Sequence, residues 1–212
     1  MTEKNRRSLG RPRSSEQTKP TKEVILHSAL ELFLSNGFQN VSLDDVAKKC
    51  NVTKATIYYY YDSKATLFTD AMVQLMSRIR GYMLEILQGS EPLRQRLYRV
   101  TEAHLRATLD IDLDSFLREA KTSLTRKQLE DMHKAESKMF DALKTAFSDS
   151  IKTKEIPEIN IDFAVQSYTS LLKVGNYRNP DQSGLFPTIE EAAKQIMEFY
   201  WNGLFPNKTQ KQ

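Results

Sequence analysis

Apolar residues recur along this chain at helical spacing, in segments separated by Gly, Pro and short polar residues. The first segment begins near Thr21, carries Ile25, Leu26, Ala29, Leu30, Leu32 and Phe33, and stops at Asn36-Gly37, where Gly is well placed to end a helix. Leu43, Val46, Ala47 and Cys50 then fall at i, i+3, i+4 and i+7 and predict a short helix with one apolar stripe. From Lys64 the same spacing runs through Leu67, Ala71, Leu75, Ile79, Met83 and Ile86, until Gly89-Ser90 and Pro92 break it. Further helices are predicted from about Leu93 with Leu97, Val100 and His104, over Asp114 to Leu124, over Arg126 to Ile151, over Phe163 to Val174 and over Ile189 to Leu204. No β signal of any length and no repeat interrupts the series, so the predicted fold class is all-α.

Between the second segment and Lys64 the pattern carries chemistry. Ser42 can cap the second helix, with Asp45 where a capping box wants an acid. Asn51-Val52 forms the turn, because Asn tolerates the left-handed conformation that stops a helix, and Thr53 caps the next helix at once. On that helix Ile57 and Tyr61 continue the core. Ala55, Thr56 and Tyr59 lie on the opposite side, flanked by Tyr58 and Tyr60. A buried strand is the alternative for Thr-Ile-Tyr-Tyr-Tyr-Tyr, but the caps bracket it and no second strand-like run stands nearby to pair with it. Two short helices with a tight turn, the second presenting hydroxyls and phenols, form a helix-turn-helix suited to a DNA groove. Lys64, among the first backbone N–H groups of the following helix, suits a phosphate.

Charge supports that reading. The 212 residues carry a net +4, distributed unevenly. Among residues 1–22, Lys4, Arg6, Arg7, Arg11, Arg13, Lys19 and Lys22 face only Glu3 and Glu16, which leaves +5 there and about −1 on the rest. A basic arm on a near-neutral body is the asymmetry of a nucleic-acid binder. Residues 1–20 lack periodicity and read as a disordered arm, in which Arg11 and Arg13 of Gly-Arg-Pro-Arg are candidates for the minor groove. Cys50, the only cysteine, lies on an apolar stripe and reads as a core residue rather than a reactive thiol. With neither a signal peptide nor an apolar run of spanning length, the chain is expected to be soluble and cytoplasmic.

The stretch Ile25 to Leu67 resembles the N-terminal domain of the TetR (tetracycline repressor) family of bacterial regulators. The resemblance runs through Ile25-Leu26, Ala29-Leu30-Glu31-Leu32-Phe33, Asn36-Gly37-Phe38, Val41-Ser42, Val46-Ala47 and the continuous run Asn51 to Lys64. It implies a homodimer of about nine helices, with DNA-binding residues 21–66 and a helical regulatory and dimerisation domain over 67–208. The last two helices of each copy would form a four-helix interface. It also implies a DNA-binding regulator, most simply a repressor released from a palindromic operator by a small-molecule effector, without catalytic residues or a cofactor. By position Ser42, Thr53, Lys54, Ala55, Thr56, Tyr58, Tyr59, Tyr60 and Lys64 would face DNA. Asn51 stands where the family usually has a turn glycine, Tyr61 where Phe is common, and Asp44 where some members place a base-reading cation.

Other constellations are weaker. Asp110, Asp112 and Asp114 imitate a calcium loop, but Ser115 and Lys121 occupy its Gly and bidentate-acid positions. Glu130 and His133 lack the second pair a di-metal bundle needs, so no metal is expected. Met76, Tyr82, His104, Phe116, Phe140 and Tyr168 are candidates to line an effector cavity, although helical spacing suits plain core equally. Met76, Ile79 and Met83 are expected to face the C-terminal core. The stripe Ile189, Ala193, Ile196, Met197 and Tyr200 must be buried, either in its own chain or against a second copy, and the dimer interface is assigned to it. The competing class, a helical enzyme or adaptor, has no use for exposed phenols and hydroxyls on the Thr53–Tyr61 helix.

Overall fold

Short polar residues stand at the helix starts, and the backbone turns helical where they cap it. The computed structural model describes residues 21–108, 113–181 and 183–206, with the side chains of 113–116 excepted. Its helices are α1 (Thr21–Asn36), α2 (Leu43–Cys50), α3 (Lys54–Tyr60), α4 (Lys64–Leu87), α5 (Leu93–Thr108), α6 (Leu113–Lys121), α7 (Arg126–Lys152), α8 (Ile161–Gly175) and α9 (Ile189–Leu204). Among the described residues the only β-type pairing is an isolated bridge between Arg178 and Gly184. Thr53, Ser63, Asn160 and Thr188 cap α3, α4, α8 and α9 through their side-chain oxygens. Thr125 and Gln128 form a capping box on α7. The start of α5 is capped from far away. The Leu93 N–H donates to the Glu155 carboxylate, which is also held by Arg96 at 3.1 Å and Ser150 at 2.8 Å.

The apolar stripes collect in connected cores. Ile25, Leu26, Phe33, Val46 and Ile57 of the first three helices pack with Tyr61 and with Leu67, Phe68, Ala71, Met72 and Met76 of α4; Ala120 of α6 and Met132 of α7 close the same cluster. Phe33, Phe38 and Phe68 meet in it with centroids 5.0–5.9 Å apart. The other end of α4, at Ile86 and Leu87, joins Leu97, Val100, Leu143, Phe147, Val165, Tyr168, Met197 and Tyr200. Each such side chain taken from water contributes roughly 1.5–3 kcal/mol before conformational entropy is subtracted. One helix therefore has its first turns in the helix-turn-helix core and its last turns in the C-terminal core.

Here the structure corrects the reading of α9. Ala192, Ala193, Ile196, Met197 and Tyr200 are buried within their own chain, and Ile189 partly so. The stripe packs against α5 and α8 and is not free to meet a second copy. Close approach is possible because Gly175 stands opposite Leu105, where a Cβ would come within 2.3 Å of the leucine side chain. Tyr168 donates to the Leu97 carbonyl at 3.1 Å and shares a 2.9 Å bond with Thr101, while Tyr200 donates to the Ala164 carbonyl at 2.7 Å. Burial pushes both phenols well above their ordinary range, so they stay protonated donors. Large apolar side chains point outward elsewhere on α8 and α9, with Phe163 62%, Phe199 72% and Val174 39% exposed.

Candidate nucleic-acid interface

The helix-turn-helix is built by local chemistry. Ser42 accepts the Asp45 N–H at 3.2 Å, and the Asp45 carboxylate accepts the Ser42 N–H at 2.9 Å. Bonds from the Ser42 hydroxyl and then its N–H hold Asp45 below the usual carboxylate range. α2 ends at Asn51, left-handed at φ 53°, whose N–H bonds the carbonyls of Ala47 and Lys48. Thr53 caps α3 by accepting the Thr56 N–H at 3.1 Å, and the two hydroxyls share a 2.8 Å bond. Ile57 and Tyr61 are buried, as the periodicity requires.

With Ile57 anchored, Ala55 and Tyr59 point away from the protein. Tyr59 is 81% exposed, with Tyr58 and Tyr60 exposed on either flank. Tyr59 and Tyr60 stand edge to face with centroids 5.0 Å apart. Three neighbouring phenols left in water by a seven-residue helix serve no core. The Tyr61 ring is buried behind them and packs under the Lys22 ammonium. Its hydroxyl reaches Asp70 at 3.3 Å, and burial, reinforced by that carboxylate, raises its pKa.

Lys64 differs from the expectation of a free phosphate-binding cation. Its ammonium donates to the carbonyls of Phe38 at 2.9 Å and Gln39 at 3.2 Å and lies 4.5 Å from the Phe38 ring centre. It joins the start of α4 to the α1–α2 turn, leaving at most one donor for a phosphate. Lys54 is engaged as well, by Asp44.

The cavity residues read from the sequence do not converge. Tyr82 is 55% exposed on the outer side of α4, and Ile79 is also exposed, because both lie off the stripe that α4 turns toward its neighbours. Met76 is packed into the helix-turn-helix core and Tyr168 into the C-terminal core with its hydroxyl satisfied; both are core residues. Phe140 and Met83 pack partly buried against the C-terminal core. His104 is partly buried, and that burial lowers its pKa. Two open surface pockets lie elsewhere; the one of about 430 Å³ is lined by Gly89, Pro92, Arg96, Ser150 and Glu155. Arg11, Arg13, Asp110, Asp112 and the side chains of Asp114 and Phe116 fall outside the described residues. Glu130 pairs with Arg126 at 3.1 Å, and His133 lies 3.4 Å from Glu136.

Residues 25–71 match the bacterial regulatory proteins of the tetR family. Over 185 residues, 84% of this chain and 93% of the relative, the sequence is 26% identical to the HTH-type transcriptional regulator YhgD of Bacillus subtilis. Over 51 residues it is 37% identical to IcaR of Staphylococcus aureus, the negative transcriptional regulator of the biofilm operon icaADBC; that match covers 24% of this chain and 27% of IcaR. The fold is similar to that of the regulator FadR of B. subtilis in complex with stearoyl-CoA, with a TM-score of 0.70, 16% identity, and coverage of 85% of this chain and 98% of FadR.

Proposed function

Because the chain belongs to the TetR family of DNA-binding transcriptional regulators and is not an enzyme, we propose that it is a homodimeric repressor that leaves a palindromic operator when it binds a small molecule. The observation that carries the reading is the α3 surface, where Tyr58, Tyr59 and Tyr60 stand in water beside the paired hydroxyls of Thr53 and Thr56. In the proposed complex α3 enters the major groove. Ala55, Thr56 and Tyr59 meet base edges, Lys54 faces the groove while paired with Asp44, and Ser42, Thr53, Tyr58, Tyr60 and the remaining donor of Lys64 meet the backbone. Arg11 and Arg13 follow the adjacent minor groove.

Two copies would pair through the outer faces of α8 and α9, where Phe163, Val174 and Phe199 leave apolar surface in water. This replaces the stripe around Ile196. A two-fold axis there would present two α3 helices to half-sites about one helical turn apart or somewhat more. No helix among the described residues is long and apolar enough to cross a membrane, and we place the protein with its operator in the cytoplasm.

The effector would act through α4, which is packed into both cores. A ligand favouring one tilt of α4 would change the spacing of the two α3 helices, and a coupling of about 1–3 kcal/mol would lower operator affinity roughly 5- to 150-fold. Stearoyl-CoA, carried by B. subtilis FadR, is the first compound to test. Selection of duplexes from a random pool by the purified protein tests the reading. Enrichment of a two-fold symmetric sequence supports it, and a pool that stays random after repeated rounds overturns it.

A further inference from the structure

Asp44 and Asp45 are consecutive carboxylates in the first turn of α2 with different tasks. Asp45 completes the cap. Asp44 turns across to α3, where both of its oxygens hold the Lys54 ammonium, at 2.8 and 2.9 Å. Lys54 also lies 5.8 Å from the Tyr58 ring centre, and the paired side chains remain about half exposed, at 58% and 47%. Hydrogen bonding to Asp44 raises the pKa of Lys54, so the ammonium keeps its charge. Three other cations of this region are also occupied: Lys22 by Asp70, Lys49 by Glu31 and Lys64 by carbonyls.

A carboxylate beside the proposed groove-facing surface is unfavourable next to any phosphate backbone. If Lys54 moved to a phosphate, it would leave that carboxylate unpaired against a polyanion. The pair therefore opposes indiscriminate binding. It becomes favourable where DNA offers an acceptor to the ammonium and a donor to the carboxylate side by side. Both base pairs offer donors and acceptors in the major groove, but only G·C sets two adjacent acceptors, guanine N7 and O6, before the ammonium with a donor, the cytosine N4 amino group, beyond them. In A·T the adenine N6 donor lies between the two acceptors.

Resting on the DNA-binding reading above, we propose that Asp44 and Lys54 act as one two-headed unit that selects a G·C pair in each half-site and suppresses binding to other DNA. Lys54 faces the guanine and Asp44 the cytosine. The task belongs to the pair, since Lys54 alone would contact phosphate anywhere.

The test compares wild type with Asp44→Asn, a near-isosteric change away from the cap. Both proteins are put through selection from a random duplex pool, and affinity for random-sequence DNA is measured against salt. Wild type is expected to fix a G·C pair at one position per half-site. Asp44→Asn is expected to lose about tenfold discrimination there, keep its other preferences, and bind random DNA with a slope steeper by about 0.9, one more phosphate contact. A half-exposed ion pair adds little to stability, so the thermal midpoint should stay near that of wild type. An unchanged base profile and slope overturns the proposal, and so does a uniform loss of affinity at every position. If wild type itself selects no sequence, the DNA-binding reading fails first, which is a distinguishable result.

Discussion

The Glu119 carboxylate on α6 accepts the Gln39 backbone N–H at 3.2 Å, a bond between residues 80 positions apart. The carbonyls of Phe38 and Gln39 accept from Lys64 on α4. The turn that leads into the helix-turn-helix is thus gripped from both sides, its N–H by one helix and its carbonyls by another. Gly37 makes this possible, with φ +80° and a position where a Cβ would lie 3.3 Å from Glu119 Oε2. Gly37→Ala is expected to cost about 1–2 kcal/mol from the left-handed backbone alone, and Glu119 must also shift. Urea unfolding should show the midpoint fall with the slope unchanged.

Lys64→Met removes the ammonium from those carbonyls. A residue serving only as a phosphate contact would leave the stability of the free protein unaltered. Here stability is expected to fall by on the order of 1–2 kcal/mol, together with operator affinity, and both are measurable on the same preparation.

The faces of α9 can be separated by two substitutions. Ile196→Asp puts an unpaired charge where the side chain is 3% exposed, and it is expected to unfold the C-terminal core, since an isolated buried carboxylate is so unfavourable. Phe199→Asp changes a side chain that stands in water, and the chain should keep its helical circular dichroism yet sediment as a monomer. A folded, dimeric Phe199→Asp protein would place the interface elsewhere.

Stability should also respond to acid through His104. Burial lowers its folded-state pKa below the ordinary 6.5, so the unfolded chain takes up the proton first. The contribution is complete above about pH 6.5 and is lost progressively as the pH falls below that value. His104→Asn is expected to flatten this part of the stability profile between pH 6.5 and 5. An identical slope in wild type and variant would mean that His104 is solvated.

Features written within one turn of chain were legible in the sequence. The capping box of Ser42 and Asp45, the left-handed Asn51, the left-handed Gly37 and the buried sides of α2 and α3 follow from residue type and spacing. Pairings between distant residues were not. Glu155 caps α5 across 62 positions, Lys64 finds its carbonyls 25 and 26 positions back, and Asp44 meets Lys54 across the turn. The stripe around Ile196 announced that it must be buried but not by which partner, since periodicity specifies a face and not its neighbour. Tyr82 and Ile79 show the same limit, as helical spacing along a 24-residue helix drifts off the packed side.

The most direct test of α3 as the reading element uses a duplex selected by wild type and a shuffled duplex of equal length and composition. Affinities of wild type and Tyr59→Ala for both are measured by fluorescence anisotropy at one physiological salt concentration. Wild type is expected to favour the selected duplex by about a thousandfold or more. Tyr59→Ala is expected to lose a substantial part of that preference while binding the shuffled duplex as wild type does. Equal wild-type affinity for the two duplexes, or a full preference retained by Tyr59→Ala, would contradict recognition through this face of α3.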